Sequence, residues 1–200
     1  MYIIGITGGT GSGKTSAVEA LKKLGAEALD CDEIYHGLLI SCDDLKAEII
    51  GQFGDVSTDG EVDRRKLSEI VWNDPAALRE LNRITFKYMD AEVDSLICEL
   101  KQQEQKVVAI DAIALIESGQ SLKCDVVVGV VASQEKRIKR IMSRDNLTIE
   151  RAQSRINAQQ PESFYRSNCD YIIENTYISQ DEFDKKCIDF FGDLLCKDGV

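Results

Sequence analysis

The sequence predicts an α/β fold: a five-stranded parallel sheet flanked by helices, with a helical insertion and a helical lid. Three observations carry that expectation. Short apolar runs recur at 2–7, 26–29, 106–111, 125–131 and 170–174, and several are too continuous in their apolarity to leave one face in water, as in buried parallel strands. Segments of helical period separate them, and right-handed crossovers place such strands in one sheet. The first run also leads directly into a glycine-rich turn and then a helix, Gly8-Gly9-Thr10-Gly11-Ser12-Gly13-Lys14-Thr15.

That turn satisfies G-x-x-x-x-G-K-[ST] in the strand–loop–helix setting that gives the pattern meaning. Its glycines allow successive N–H groups to curl toward phosphate oxygens. The helix that follows adds its positive N-terminus. Lys14 is expected to reach the β and γ phosphates, and the Thr15 hydroxyl to hold Mg²⁺. The fold expectation is therefore a P-loop NTPase core, with ATP as the ligand of residues 8–16.

The elements follow in order. Ala17 to Leu24 is helical, and Gly25 is a C-cap. Ala26 to Leu29 is the second strand, ending at Asp30-Cys31-Asp32, on the side of the sheet where ligand groups gather. Short helices are expected at 34–40 and 45–53, then a polar connector from Gly54 to Asp63. Another apolar stretch runs through Ile70-Val71-Trp72. Asn73-Asp74-Pro75 starts a long helix in which Leu78, Leu81, Ile84, Tyr88, Val93, Leu96, Ile97 and Leu100 keep helical spacing.

Lys106 to Asp111 and Asp125 to Val131 are strands. Ser133 caps a helix through Met142, Asp145-Asn146-Leu147 is a turn, and Thr148 opens a second helix to about Ala158, broken by Pro161. Asp170 to Glu174 is the last strand, Asn175-Thr176 a turn, and Asp181 to Cys196 a closing helix. The expected organisation is a nucleotide core at 1–33, 105–139 and 165–200, a helical insertion at 34–104, and a lid at 140–164.

Composition narrows the function. With 24 basic and 35 acidic residues the net charge is −11, which disfavours a nucleic-acid partner recruited by general electrostatics. Between Lys136 and Arg155, however, seven basic residues accompany only two acidic ones, a local excess suited to an anion. Seven cysteines lack any C-x-x-C pair, and no apolar run approaches a membrane span. Met1 leads straight into a strand, so no targeting segment is expected. A reducing cytoplasm, no membrane partner, and a monomer or weak homo-oligomer are the expectations.

Phosphoryl transfer to an alcohol needs a carboxylate that orients the hydroxyl and accepts its proton. Asp32 is the candidate, with a helix N-cap as its alternative or additional role. Asp30 is a weaker candidate, as a support or a ligand to Mg²⁺-bound water. Asp111, ending an apolar strand, is a candidate for Mg²⁺ held through water, with an ordinary polar strand end as the alternative. Arg140 and Arg144 share one helical face, and Arg151 and Arg155 repeat the spacing; as a set they suit phosphate on a closing lid. Arg64 and Arg65 are candidates for acceptor phosphates. His36 is a lone histidine without a site around it.

The chain resembles the dephospho-CoA kinase family. The resemblance lies in I-G-I-T-G-G-T-G-S-G-K-T at 4–15, L-G-A-E-A-L-D-C-D-E-I-Y-H at 24–36, D-R-R-K-L-S-E-I-V-W-N-D-P at 63–75, R-I-M-S-R-D-N-L-T at 140–148, R-I-N-A-Q at 155–159 and C-D-Y-I-I-E-N at 169–175. It implies that the helical domain at 34–104 binds the acceptor through its CoA moiety, and that the ATP γ-phosphate is transferred to the ribose 3′-hydroxyl of dephospho-CoA. By resemblance Asp32 falls on the catalytic carboxylate, Gly11 to Ser16 on the ATP loop, and Arg140 and Arg144 on the lid. Asn175 ends the last matching stretch and joins the nucleotide-binding set.

Two segments depart from the family pattern. Asp111-Ala112-Ile113-Ala114-Leu115-Ile116-Glu117 lacks the proline and phenylalanine usual after this strand, and Phe86-Lys87 stands where His-Pro is usual. A kinase for another nucleotide or small alcohol, and an ATP-binding regulatory homologue with weakened transfer, stay open beside the leading reading. A GTPase switch is disfavoured, because no N-K-x-D motif is present.

Overall fold

The computed structural model describes residues 1–58, 60–71, 74–176 and 179–199. The chain divides into two compact units, one formed by Met1–Leu29 with Leu100–Val200 and the other by Asp30–Glu99.

The first unit is built on a five-stranded sheet of order β2-β5-β1-β6-β7. Its strands are β1 (Tyr2–Thr7), β2 (Glu27–Asp30), β5 (Val107–Asp111), β6 (Val126–Val131) and β7 (Tyr171–Glu174). β1 pairs in parallel with β5 and β6, and β6 in parallel with β7. Every residue of β5 and β6 is buried, which explains why both read as continuous apolar runs rather than alternating ones. Helices α1 (Lys14–Lys23) and α9 (Gln180–Lys197) bring Ala17, Leu21, Phe183, Cys187 and Phe191 onto Ile4, Ile6, Val128 and Val130 in one core.

Local chemistry sets the helix ends. Leu24 closes α1, and Gly25 follows with φ +93°. The N–H of Gly25 bonds the Lys22 carbonyl and that of Ala26 the Leu21 carbonyl, both at 3.0 Å. This is a Schellman stop, so the glycine expected there does end the helix. Helix α6 (Gln134–Asp145) is capped by Ser133 and runs one turn further than its apolar spacing suggested, ending at Asn146 with φ +51°. Thr148 caps α7 (Ile149–Asn157). Ile141, Ala152 and Ile156 give this α6–α7 hairpin a small core of its own.

Two elements of this unit go beyond the sequence expectation. A helix, α8 (Glu162–Asn168), follows Pro161 and buries Tyr165. Pro161 stands at its N-cap, so the proline that ends one helix begins the next. A 3-10 turn over Gln120–Lys123 precedes β6.

The second unit contains α2 (Cys31–Ser41), α3 (Asp43–Phe53), α4 (Arg64–Val71) and most of α5 (Pro75–Gln102). It is not wholly helical. Within the expected polar connector, β3 (Ser57–Thr58) and β4 (Glu61–Val62) pair antiparallel. An Asp-Gly sequence between two short β-competent stretches is a hairpin signal. Asn73, expected to help start α5, lies outside the described residues. The Asp74 carboxylate accepts from the Ala76 N–H at 2.7 Å. Leu45, Ile49, Leu67, Ile84 and Val93 are buried.

Candidate functional site

The phosphate loop joins β1 to α1 and is held tightly by chain distant in sequence. Gly13 has φ +111° and leads into Lys14, the first residue of α1. A Cβ there would overlap the Asn175 amide and lie 2.8 Å from the Phe183 ring. A left-handed conformation and lack of room therefore both demand glycine. At Gly9 the reason is space alone, since a Cβ would lie 2.7 Å from the Arg137 guanidinium carbon.

Lys14 Nζ forms an ion pair with Asp111 Oδ1, and both side chains are largely shielded from water. Asp111 ends β5 and is paired in register with Ile6 of β1. Thr15, next along α1, is exposed, whereas Ser16 is buried and its Oγ accepts from Gln180 Nε2 at 2.5 Å. The Ser12 hydroxyl is buried with no hydrogen-bond partner among the described residues. Such a group ordinarily costs about 1–3 kcal/mol, and in a phosphate loop it suits a ligand rich in acceptor oxygens.

Arg140 lies against this loop. Its Nη1 donates to the Gly11 and Ser12 carbonyls at 3.1 and 3.2 Å, and its Nη2 to Asn175 Oδ1 at 3.0 Å. Burial lowers the pKa of its guanidinium. Asn175 is buried and returns a bond from Nδ2 to the Ser12 carbonyl at 2.9 Å. Both residues thus hold the shape of the loop through its carbonyls.

The arginines expected to act as one set are divided. Arg144 donates to Asp145 from Nε at 2.7 Å and from Nη2 at 3.0 Å, and Arg155 Nη1 donates to the same carboxylate at 2.5 Å. The Asp145 pKa is held down, first by the Arg144 hydrogen bond. Arg151 is exposed. Arg140 is therefore bonded to the loop, whereas Arg144 and Arg155 form a separate pair on Asp145.

Three residues at the loop lie outside the expected site: Arg137, within the basic run, Gln159, at the end of the R-I-N-A-Q stretch, and Gln180. Arg137 is only 7% exposed, and its Nε donates to the Thr10 carbonyl at 2.9 Å. Gln159 accepts from the Thr10 N–H at 2.9 Å and donates to Thr10 Oγ1 at 2.6 Å. One clue to Arg137 existed, because it sits one helical turn before the buried Ile141 and so on the packed face of α6.

In the helical unit, α2 starts at Cys31, and the cap is Asp30 rather than Asp32. Asp30 has extended backbone and its Oδ1 accepts from the N–H groups of Asp32 and Glu33 at 2.8 and 3.1 Å. This corrects the capping alternative for Asp32, which stands inside the first turn of α2. Its carboxylate is exposed and takes part in no hydrogen bond or ion pair among the described residues. His36 is also exposed, and Arg64 and Arg65 are exposed at the start of α4, which Asp63 caps.

The departing segments have defined environments. Lys87 Nζ and Tyr88 OH both donate to Glu48, at 3.1 and 2.8 Å. The Ile113 carbonyl accepts from Thr7 Oγ1 at 3.0 Å, and Leu115 is fully buried.

Among the described residues no cluster of His, Cys, Asp or Glu is large enough to hold a metal by protein ligands alone. One exposed hydroxyl and one carboxylate at the loop, Thr15 and Asp111, could hold Mg²⁺. No helix among the described residues is long and apolar enough to cross a membrane.

A family model described as dephospho-CoA kinase matches residues 2–181. A dephospho-CoA kinase from Lactobacillus johnsonii is 34% identical over 196 residues, covering 96% of this chain and 98% of that one. A crystal structure of a Thermus thermophilus protein superimposes with a TM-score of 0.80 at 27% identity, covering 97% of each chain. Dephospho-CoA kinase from Campylobacter jejuni superimposes with a TM-score of 0.68 at 25% identity, covering 96% of each. The match spans the phosphate loop, the helical unit and the α6–α7 hairpin alike, and the chain belongs to the dephospho-CoA kinase family.

Proposed function

We propose that the protein transfers the γ-phosphate of ATP to the ribose 3′-hydroxyl of dephospho-CoA, giving CoA and ADP. The observation that carries this reading is the phosphate loop. It is fixed by Arg140, Asn175 and Arg137, and it ends in a lysine at the first turn of α1. Family membership supplies the acceptor.

The roles follow from what each residue can reach or donate. The N–H groups at the start of α1 and the helix N-terminus receive the phosphates. Lys14 offsets charge on the group in transit, exchanging its carboxylate partner Asp111 for phosphate oxygens. Asp32, an exposed carboxylate with no competing partner, orients the acceptor hydroxyl and takes its proton. Arg144 and Arg155 leave Asp145 to meet phosphate when the α6–α7 hairpin closes, excluding water that would otherwise hydrolyse ATP. Thr15 and Asp111 would hold Mg²⁺, whose contribution is to neutralise β and γ oxygens. The seven cysteines, all free thiols, support a cytoplasmic setting.

The test is ADP release from purified protein with Mg²⁺–ATP, with and without dephospho-CoA, and identification of the product by mass. Acceptor-dependent ADP release with gain of one phosphate to give CoA is the expected result. Tight ATP binding without that turnover would refute the reading.

A further inference from the structure

Thr10 is the apex of the phosphate loop, and its backbone and side chain are all engaged by two residues far away in sequence. Its carbonyl accepts from Arg137 Nε, its N–H donates to Gln159 Oε1, and its Oγ1 accepts from Gln159 Nε2, at 2.9, 2.9 and 2.6 Å. Arg137 Nη2 closes the ring on the same Gln159 Oε1 at 2.8 Å. Arg137 lies in the first turn of α6, and Gln159 lies two residues beyond the end of α7. Both roots of the α6–α7 hairpin therefore converge on one loop residue.

The charge at this junction is unusual. Arg137 is buried, yet no carboxylate forms an ion pair with it among the described residues. Burial lowers its pKa, and Glu162 is the carboxylate whose charge opposes that shift. A buried cation without a carboxylate partner is expensive unless something else compensates it. Here the compensation within the protein is a loop carbonyl and an amide oxygen, which leaves a net positive charge directly behind an anion-binding loop.

We infer that Arg137 and Gln159, acting through Thr10, are positioning residues. They hold the loop apex in its ATP-receiving shape and tie the position of the α6–α7 hairpin to it. The inference rests on the ATP-dependent reading of the site. Any movement of the hairpin roots then changes the loop, and any nucleotide that fixes the loop also fixes the roots. Because Gln159 saturates the Thr10 N–H, this amide shapes the loop and leaves the phosphate contacts to the residues after it.

The experiment measures Mg²⁺–ATP affinity by calorimetry, KM for dephospho-CoA, and the melting temperature, for the wild type, Gln159→Leu, Thr10→Val, Thr10→Ser and the Gln159→Leu/Thr10→Val double variant. Loss of three part-buried hydrogen bonds in Gln159→Leu, two to Thr10 and one from Arg137, should weaken ATP binding about tenfold or more. KM for dephospho-CoA should change less than about twofold, because uniform binding of the acceptor is untouched. Thr10→Val should weaken ATP binding by less, Thr10→Ser should bind as the wild type does, and the double variant should lose less than about twofold beyond Gln159→Leu, since the bond is already gone.

Wild-type ATP affinity in Gln159→Leu, whatever its melting temperature, would overturn the inference, as would losses that simply multiply in the double variant. Should Gln159→Leu fail to fold, the Thr10 pair decides: equal ATP affinity in Thr10→Val and Thr10→Ser sinks the proposal. A wild type that binds ATP but does not phosphorylate dephospho-CoA refutes the acceptor assignment alone, because the ATP affinities still read the Thr10 ring.

Discussion

The phosphate loop and the helical unit use glycine in opposite ways. In the loop, a Cβ on Gly9 would meet the Arg137 guanidinium, and one on Gly13 would meet Asn175 and Phe183. In the helical unit, Gly37 and Gly51 lie in helices, and a Cβ on either would have open space around it. The same contrast holds for polar groups. Around the loop, buried side chains bond backbone carbonyls across 127 to 163 positions of sequence. In the helical unit, Glu48, Lys87, Arg83 and Glu80 meet in exposed or half-exposed pairs. One region is over-determined by packing, and the other is held by its apolar faces and finished with surface charge, which tolerates change. The Phe86-Lys87 departure from the family pattern falls in the tolerant region.

Substitutions can break or sharpen that contrast, and the largest effects belong to the loop. Lys14→Ala should lower turnover about 10³-fold, the scale of losing one charge-stabilising donor, and should also impair nucleotide binding, read by calorimetry. Asp32→Asn should lower kcat about 10²–10⁴-fold, the range for general-base catalysis, with ATP affinity nearly unchanged. Parallel loss of ATP affinity would argue against its role as base.

Glycine replacements compare the two regions directly. Gly9→Ala should destabilise the protein by about 1–3 kcal/mol through overpacking and weaken ATP binding with it. Gly51→Ala, in an exposed stretch of α3, should raise stability by about 0.5–1 kcal/mol. Thermal unfolding reads both, and equal signs would erase the distinction between a packed and an open region.

The smallest effect concerns Glu48. Its pKa is held below the ordinary 4.5, first by the Tyr88 hydrogen bond and then by Lys87. A carboxylate with a depressed folded-state pKa stabilises above its unfolded value and loses that contribution as pH falls through the folded value. Glu48→Gln should therefore be slightly less stable than the wild type near neutral pH. The two should converge below pH 4.5, and melting curves across that range check the sign.

The same contrast explains what sequence could and could not reveal. The strands of the sheet were legible because fully buried runs such as Val107-Val108-Ala109-Ile110 have only one comfortable environment. The phosphate loop was legible because glycine, lysine and threonine at fixed offsets have few other uses. Arg137 was not, because nothing local tells a buried arginine from Arg144, two turns along the same face of α6. Only tertiary packing of α6 separates them. Helix α8 was hidden because Pro161 was weighed as a stop and not also as a start. The Asp30 cap was missed for a similar reason: two acids, one residue apart, compete for the same role, and a one-residue shift in helix start decides between them.

The ties around Thr10, Ser12 and Ser16 have a consequence for how the protein comes into being. The phosphate loop is synthesised before its scaffold, since Arg137, Gln159, Asn175 and Gln180 follow their loop partners by 127 to 164 positions. Contacts of such separation form late, after the entropy of closing a long loop has been overcome. A nascent chain halted before Arg137 carries the complete ATP motif without the framework that shapes it. The loop is thus competent only once distant chain has folded onto it, and capture of nucleotide marks that step of folding.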